Sequence, residues 1–368
     1  MRRKKTVWML VFLLIAATVI AGCGGNSGGT SGGSGSAAEA TSSSEPAPSE
    51  GSGAADETDA GPVPIKLQLK WVPQAQFAGY YVAKAKGYYD EEGLDVEIVP
   101  GGPDIVPEQQ VAVGAAQIGV DWVASLLAHQ EQGMPLIQIA QIFQNSGLVL
   151  VSKKEAGIAS GADLKGRKVG NWMGGNEFEL LALFDKYGID RIRDLEFIKQ
   201  GFTMDQFLSG ELDAASAMTY NEYLVVLGAG IPAEELSVID MNEEGVAMLE
   251  DNLFANREWL ENNKETAARF VRASLKGWKD AIANPEEAVD IVMAEVDAGS
   301  TTREHQLNMM KEVAKLVAPE GFDTEKIGEI DDAMFRQTAD IALQFGVITA
   351  PVNPERAYTK EIVEMAKR

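Results

Sequence analysis

Apolar positions along this 368-residue chain follow three rhythms. The first is an apolar run from Val7 to Ile20, directly behind the basic residues Arg2, Arg3, Lys4 and Lys5. The second is a near silence: from Gly24 to about Pro64 the chain is dominated by Gly, Ser, Ala, Thr and Glu, with no Lys or Arg. The third begins at Ile65, where strand-like and helix-like segments alternate. Ile65 to Lys70 alternates as a strand, Phe77 to Lys86 reads as an amphipathic helix closed by Gly87, and Leu94 to Val99 reads as the next strand, which together make a β-α-β unit. The pattern continues with a helix over 105–113, an extended segment over 117–121, a helix over 123–132 and the apolar strand Leu136 to Phe143. Such alternation predicts a parallel sheet. A further series begins near Leu164, with strands over 168–171, 195–199 and 214–218 and helices over 177–187 and 204–208. After Asn256 the chain reads as mainly helical, punctuated by Asn284-Pro285 and Gly321, and is expected to return to the first series.

The apolar run at the start spans about 14 residues, short of the roughly 20 needed to cross a bilayer, and its basic-apolar-small layout is that of an export signal. Ile20-Ala21-Gly22-Cys23 resembles the bacterial lipobox, in which the peptide is cut before the cysteine and the thiol is acylated. The expected organisation is therefore a signal peptide over 1–22, then a lipidated Cys23 and tether over 23–64. The tether holds too little apolar surface to offset its ordering entropy and reads as flexible. Cys23 is the single cysteine, so no internal disulfide or thiolate metal cluster is available. Removing the four cationic signal residues takes the formal charge from −23 to about −27, which argues against nucleic-acid or anionic-membrane binding. About 300 residues remain beyond Pro64, a length suited to two lobes.

In open α/β sheets, ligands bind beyond the carboxyl ends of the strands, so the turns there matter most. After the first strand comes Trp71-Val72-Pro73-Gln74-Ala75-Gln76-Phe77-Ala78-Gly79-Tyr80-Tyr81, and after another comes Asp121-Trp122. The second series offers Asn171-Trp172-Met173-Gly174-Gly175-Asn176-Glu177-Phe178, Gly201-Phe202-Thr203-Met204-Asp205 and Thr219-Tyr220-Asn221-Glu222-Tyr223. Aromatics are 7% of the chain yet recur at every one of these turns, which suggests stacking surfaces for a flat ligand. The candidate ligand contacts are Trp71, Gln76, Phe77, Tyr80, Asp121, Trp122, Asn171, Trp172, Gly174, Gly175, Asn176, Glu177, Phe202, Tyr220 and Glu222. Core packing is the competing reading for Tyr80, Tyr81 and Tyr223, and helix capping for Asp121, Glu177, Asp205 and Glu222.

At these residues a family resemblance emerges. Phe77 to Tyr89, with Glu92-Gly93-Leu94-Asp95-Val96 after it, resembles the NMT1/thiamine-pyrimidine-like, SsuA-like periplasmic binding proteins, and so does Gly174-Gly175-Asn176-Glu177-Phe178. Asp163-Leu164-Lys165-Gly166-Arg167-Lys168-Val169-Gly170 is shared more widely among binding proteins. The resemblance runs from about Ile65 to Asn256. It implies a type II two-lobed α/β fold with mixed sheets flanked by helices and two hinge crossings, near Val151 to Lys153 and Asn252 to Asn256. Lobe one would be 65–152 plus 255–368 and lobe two 153–254. It also implies an ABC permease and its ATPase as partners, while the lipobox implies attachment to the outer face of the cell membrane through Cys23; no cofactor is expected.

Members of that family bind sulfonates, nitrate or bicarbonate, thiamine pyrimidines, or riboflavin. The five turn motifs contain no Lys, Arg or His, which disfavours a small anion. Their aromatics, acids and amides suit a flat heteroaromatic, riboflavin ahead of formylaminopyrimidine or hydroxymethylpyrimidine. Fungal relatives that synthesise a pyrimidine depend on a histidine and clustered cysteines, whereas here His129 and His305 stand apart, with no nucleophile or metal-ligand spacing nearby. A pair such as Asp121 with Glu177 has acid/base potential but no supporting group, so the expectation is a receptor and not an enzyme.

Overall fold

A computed structural model describes residues 61–173 and 175–368. The expected signal peptide, Cys23 and nearly all of the tether lie outside the described residues, as does Gly174. No helix among the described residues is long and apolar enough to cross a membrane.

The first lobe opens with strand β1 (Val63–Gln68), which begins two residues before Ile65, inside the stretch assigned to the tether. Helices α1 (Ala78–Ala85) and α2 (Tyr88–Glu91) lead to β2 (Leu94–Val99). Helix α3 (Pro107–Ala112), strand β3 (Ile118–Asp121), helix α4 (Val123–Glu131) and strand β4 (Leu136–Gln141) follow. The second lobe holds β5 (Leu148–Lys153), β6 (Lys168–Asn171), α5 (Phe178–Lys186) and β7 (Glu196–Lys199). It continues through α6 (Asp205–Leu208), β8 (Ala214–Met218), α7 (Glu222–Gly228) and β9 (Leu236–Asp240). The chain then returns as β10 (Asn252–Asn256), α8 (Arg257–Asn262), α9 (Lys264–Ala283), α10 (Pro285–Met293) and α11 (Arg303–Val317). Helices α12 (Asp332–Gln344), α13 (Pro354–Ala357) and α14 (Glu361–Ala366) complete it.

Two five-stranded sheets result, ordered β2-β1-β3-β10-β4 and β7-β6-β8-β5-β9. Four of the eight strand pairings are parallel, as the alternating pattern predicts, and the other four are antiparallel, because β10 runs against β3 and β4, and β5 against β8 and β9. The strand that follows each crossing thus enters the other sheet against the grain and makes both sheets mixed. This moves the hinges. Val151 to Lys153 sit inside β5 and Asn252 to Asn256 form β10, so the chain crosses over 142–147 and 241–251 instead. Strand β5 is an almost wholly buried apolar run, which periodicity alone cannot separate from a connector.

Helix α1 packs on α9 at close range because both present glycine at the crossing. A Cβ at Gly79 would lie 2.2 Å from the Trp278 ring, and one at Gly277 would lie 2.1 Å from the Gly79 carbonyl oxygen. The approach sets Tyr80 edge-on to Trp278 at 5.6 Å and links it through Phe143 to Tyr220, all four being buried. This aromatic column carries the core from the first lobe to the second.

Candidate functional site

The turns after β3 and β6, one from each lobe, meet at the groove between the lobes, and the second crossing forms its floor. At the floor lies a narrow space of about 20 Å3, partly open to solvent, walled by Trp122, Asn176, Phe178, Leu148 and the segment Met248-Leu249-Glu250. That is room for about one water molecule, far below the roughly 300–1,000 Å3 of ligand pockets, so a ligand enters only if the lobes part. Nearby, Trp71 of the first lobe meets Phe202 of the second, with ring centroids 5.3 Å apart, so the lobes already touch. His305, from the start of α11, adds a second bridge by hydrogen bonding through Nε2 to Asn221 Oδ1 at 2.9 Å.

Turn 171–176 is held by its own side chains. Asn171 donates from Nδ2 to Asn176 O at 3.0 Å and Ser216 Oγ at 2.9 Å, while its Oδ1 accepts from Met173 N at 2.7 Å. Met173 adopts φ 62°, a left-handed value that is strained for a residue with a side chain. The turn is therefore pinned from within, and this keeps Asn176 and Phe178 against the cavity.

Acidic groups dominate the floor. Asp251 is buried and accepts from Gln76 Nε2 at 2.8 Å. Ser146 Oγ lies 3.0 Å from Glu179 Oε2 and 2.9 Å from Glu250 Oε1, and it accepts from Leu148 N at 3.0 Å. Glu250 Oε1 also accepts from Gly147 N at 2.7 Å, and Glu179 Oε1 from Met248 N at 2.5 Å. Burial lifts Glu250 to about 7, helped by the neighbouring Asp251 charge. It lifts Asp251 to about 6 against the opposing pull of Lys70. Glu179 is pushed well above the usual carboxylate range, by burial first and then by Glu250. Several buried polar atoms here have no partner among the described residues: Glu250 Oε2, Asp251 Oδ1, Tyr80 Oη, Trp122 Nε1 and Trp172 Nε1.

The sequence-derived residues divide on inspection. Trp122 and the Gly175-Asn176 pair line the cavity, and Trp71 and Phe202 meet nearby. Phe77, Tyr80 and Tyr220 are instead buried in the core, Tyr80 because the close approach of α1 and α9 sets it against Trp278. Trp172 is also nearly buried. Asn171 and Gln76 are committed to internal hydrogen bonds, Gln76 accepting from Gln74 Nε2 at 2.7 Å as well as donating to Asp251. The carboxylates behave as turn anchors: Glu177 accepts from Gly175 N at 2.8 Å, Glu222 from Met218 N at 3.0 Å, and Asp121 from Trp122 N at 2.7 Å. The expectation that the turns hold no cation overlooked Lys70, one residue before the first motif. Its Nζ lies 3.6 Å from the centre of the Trp122 ring and 3.1 Å from Asp121 Oδ1, so an acid already neutralises it. Glu179, Glu250 and Asp251 were also missed. The signal for Glu250 and Asp251 is an acid pair embedded in the apolar run Val246 to Ala255, where charge is out of place unless it serves a site.

The family profile described as NMT1/THI5 like matches residues 74–288, more than half of the chain. The chain belongs to this family. Among NMT1/THI5-like relatives, the riboflavin-binding protein RibY of Chloroflexus aurantiacus is 28% identical over 315 residues, covering 81% of this chain and 86% of its own. The formylaminopyrimidine-binding protein of Halalkalibacterium halodurans is 28% identical over 237 residues, 63% of this chain and 71% of its own. Among solved structures, the periplasmic aliphatic sulphonate binding protein SsuA of Escherichia coli superposes with a TM-score of 0.62 at 16% identity, over 80% of this chain and 92% of its own. This likeness establishes the periplasmic-binding-protein fold.

Proposed function

We propose that this NMT1/THI5-like chain is the solute-binding component of an ABC importer and captures a flat heteroaromatic vitamin, with riboflavin the first choice. The observation that carries the reading is the lining at the floor of the groove. It offers an aromatic wall of Trp122 and Phe178 beside unpartnered polar atoms, the arrangement that stacks a planar ring and hydrogen-bonds its edge. The similarity to RibY over most of both chains supports riboflavin. A thiamine pyrimidine precursor is the second reading, favoured by the similarity to the formylaminopyrimidine-binding protein. Lys70 does not revive a small anion, because Asp121 answers its charge and three further acids surround the floor.

Binding and not chemistry is the reading for both histidines: His129 Nδ1 lies 2.9 Å from the Ser125 carbonyl oxygen, and His305 bonds Asn221. Among the described residues no group of three His, Cys, Asp or Glu could hold a metal. The proposal includes lipid attachment through Cys23 on the extracytoplasmic face, with a permease and its ATPase as partners. The direct test is a thermal-shift and flavin-fluorescence titration with riboflavin, in parallel with formylaminopyrimidine and hydroxymethylpyrimidine. Quenching with a rise in Tm is expected for riboflavin. A shift with a pyrimidine alone would move the cargo to thiamine precursors, and no shift with any of the three would sink the ligand class.

A further inference from the structure

The three contacts of Ser146 impose a proton count. A serine hydroxyl has one proton to give and two lone pairs to receive with. Leu148 N–H occupies one lone pair, and two carboxyl oxygens, Glu179 Oε2 and Glu250 Oε1, compete for the rest. Ser146 donates to one of them only. The other approaches within hydrogen-bond distance only by donating, so one of these two acids holds a proton in the closed groove.

The surroundings say which. Both oxygens of Glu179 are engaged inside the protein, with Met248 N and Ser146. Glu250 Oε1 receives a backbone N–H from Gly147, which favours its charged form, while its other oxygen, Oε2, is buried without a partner on a residue that lines the cavity. We propose that Glu179 retains the proton and gives it to Ser146, and that Ser146 in turn donates to Glu250, leaving Glu250 Oε2 as a charged acceptor for an N–H or O–H of the ligand. A flavin imide or an amino group of an aminopyrimidine meets that requirement, and a ligand edge that carries only acceptors does not. Burial raises Glu179 further than Glu250, in keeping with this order of deprotonation.

The groups facing the pair are few. Asp251 and Asp240 add negative charge, Lys70 counters at Glu250, and the buried Tyr220 phenol lies beside the same acid. The acceptor is therefore lost as pH falls through about 7, where Glu250 takes up its own proton. Because Ser146 lies in the first crossing, Glu250 in the second and Glu179 on α5, the relay also ties both hinge strands to the second lobe.

The acceptor role rests on the proposed function, so two measurements on the full chain keep the failures apart. Infrared spectroscopy of the protein without added ligand reads the carboxylic-acid carbonyl band. The Glu179 contribution should vanish in Glu179→Gln and persist in Glu250→Gln, and the opposite pattern overturns the proton assignment whatever the ligand is. Titration with riboflavin should then show Glu250→Gln weakened at least ten-fold more than Glu179→Gln, whose amide still donates to Ser146, with both variants checked for native Tm and circular dichroism. Equal losses, or a larger loss in Glu179→Gln, overturn the acceptor role while wild-type binding stands. Failure of wild type itself to bind riboflavin or either pyrimidine would instead defeat the functional reading and the acceptor with it.

Discussion

Glu108 offers a quantitative test of the electrostatics beneath the site. It lies on α3, is fully buried, and has no hydrogen-bond partner for either carboxyl oxygen among the described residues. Its nearest cation-capable neighbour, His129 Nδ1, is 3.8 Å from Oε1. Burial, reinforced by the Asp121 charge and moderated by the nearby Ser125 hydroxyl and by Lys70, raises its pKa from 4.5 to about 8. A raised folded-state carboxyl pKa means that folding takes up a proton, so this contribution to stability is complete below about pH 4.5 and disappears as pH climbs through about 8. Integrating between pH 5 and pH 9 gives a loss of about 4 kcal/mol, a ceiling because water entry or rotation toward His129 relieves part of it. Glu108→Gln removes the titration while keeping the shape. The variant should therefore gain on wild type as pH rises, reaching up to about 8 °C in Tm for a domain of this size. The assay is paired thermal denaturation across pH 5 to 9, read as the difference between the two proteins at each pH. A difference that stays flat across that range would refute the claim that Glu108 is buried without compensation.

Gly277→Ala should destabilise the fold by about 1–3 kcal/mol, seen as a lower denaturant midpoint, because its methyl group would meet the Gly79 carbonyl oxygen and Ala83 in the α1–α9 contact. Trp71→Ala removes one half of the aromatic contact across the groove and should weaken riboflavin binding about 3–10-fold by fluorescence titration, with little change in Tm, since Trp71 is only half-buried. Cys23→Ser should release the protein from the membrane fraction into the medium. Retention in the membrane would refute lipidation at that cysteine.

Local pattern was a good guide wherever an element answers to its own neighbours. The strands of the first β-α-β unit, the helices after β3 and β6, and the location of the groove at strand ends all follow from residues within a few positions of each other. It failed where long-range pairing decides. Strand β5 became legible only through β8 and β9, and without it the acids of the second crossing could not be assigned to a groove floor. Aromatics at turn starts proved ambiguous for a related reason. Trp122 faces the cavity, but Tyr80 is drawn into the core where its neighbour Gly79 meets Gly277, far along the chain, and nothing around Tyr80 announces the partner helix. Lys70 went unweighed because its role depends on where Asp121 and Trp122 fold against it.

The return strand β10 has a consequence for how the chain must be assembled. Strands β3 and β4 are not bonded to each other, and Asn252 to Asn256 fill the gap between them. The first lobe begins with the earliest described residues, yet its central sheet stays divided until a segment more than 100 positions after β4 arrives. The second lobe, spanning one continuous stretch between the crossings, has every strand of its own sheet by Asp240. A nascent or cleaved chain ending before Asn252 would thus hold one complete sheet and one with two open inner edges, the kind of surface that recruits other strands. Vulnerability to aggregation is concentrated in that interval, and a chaperone or delayed-folding requirement would be felt there before anywhere else in the molecule.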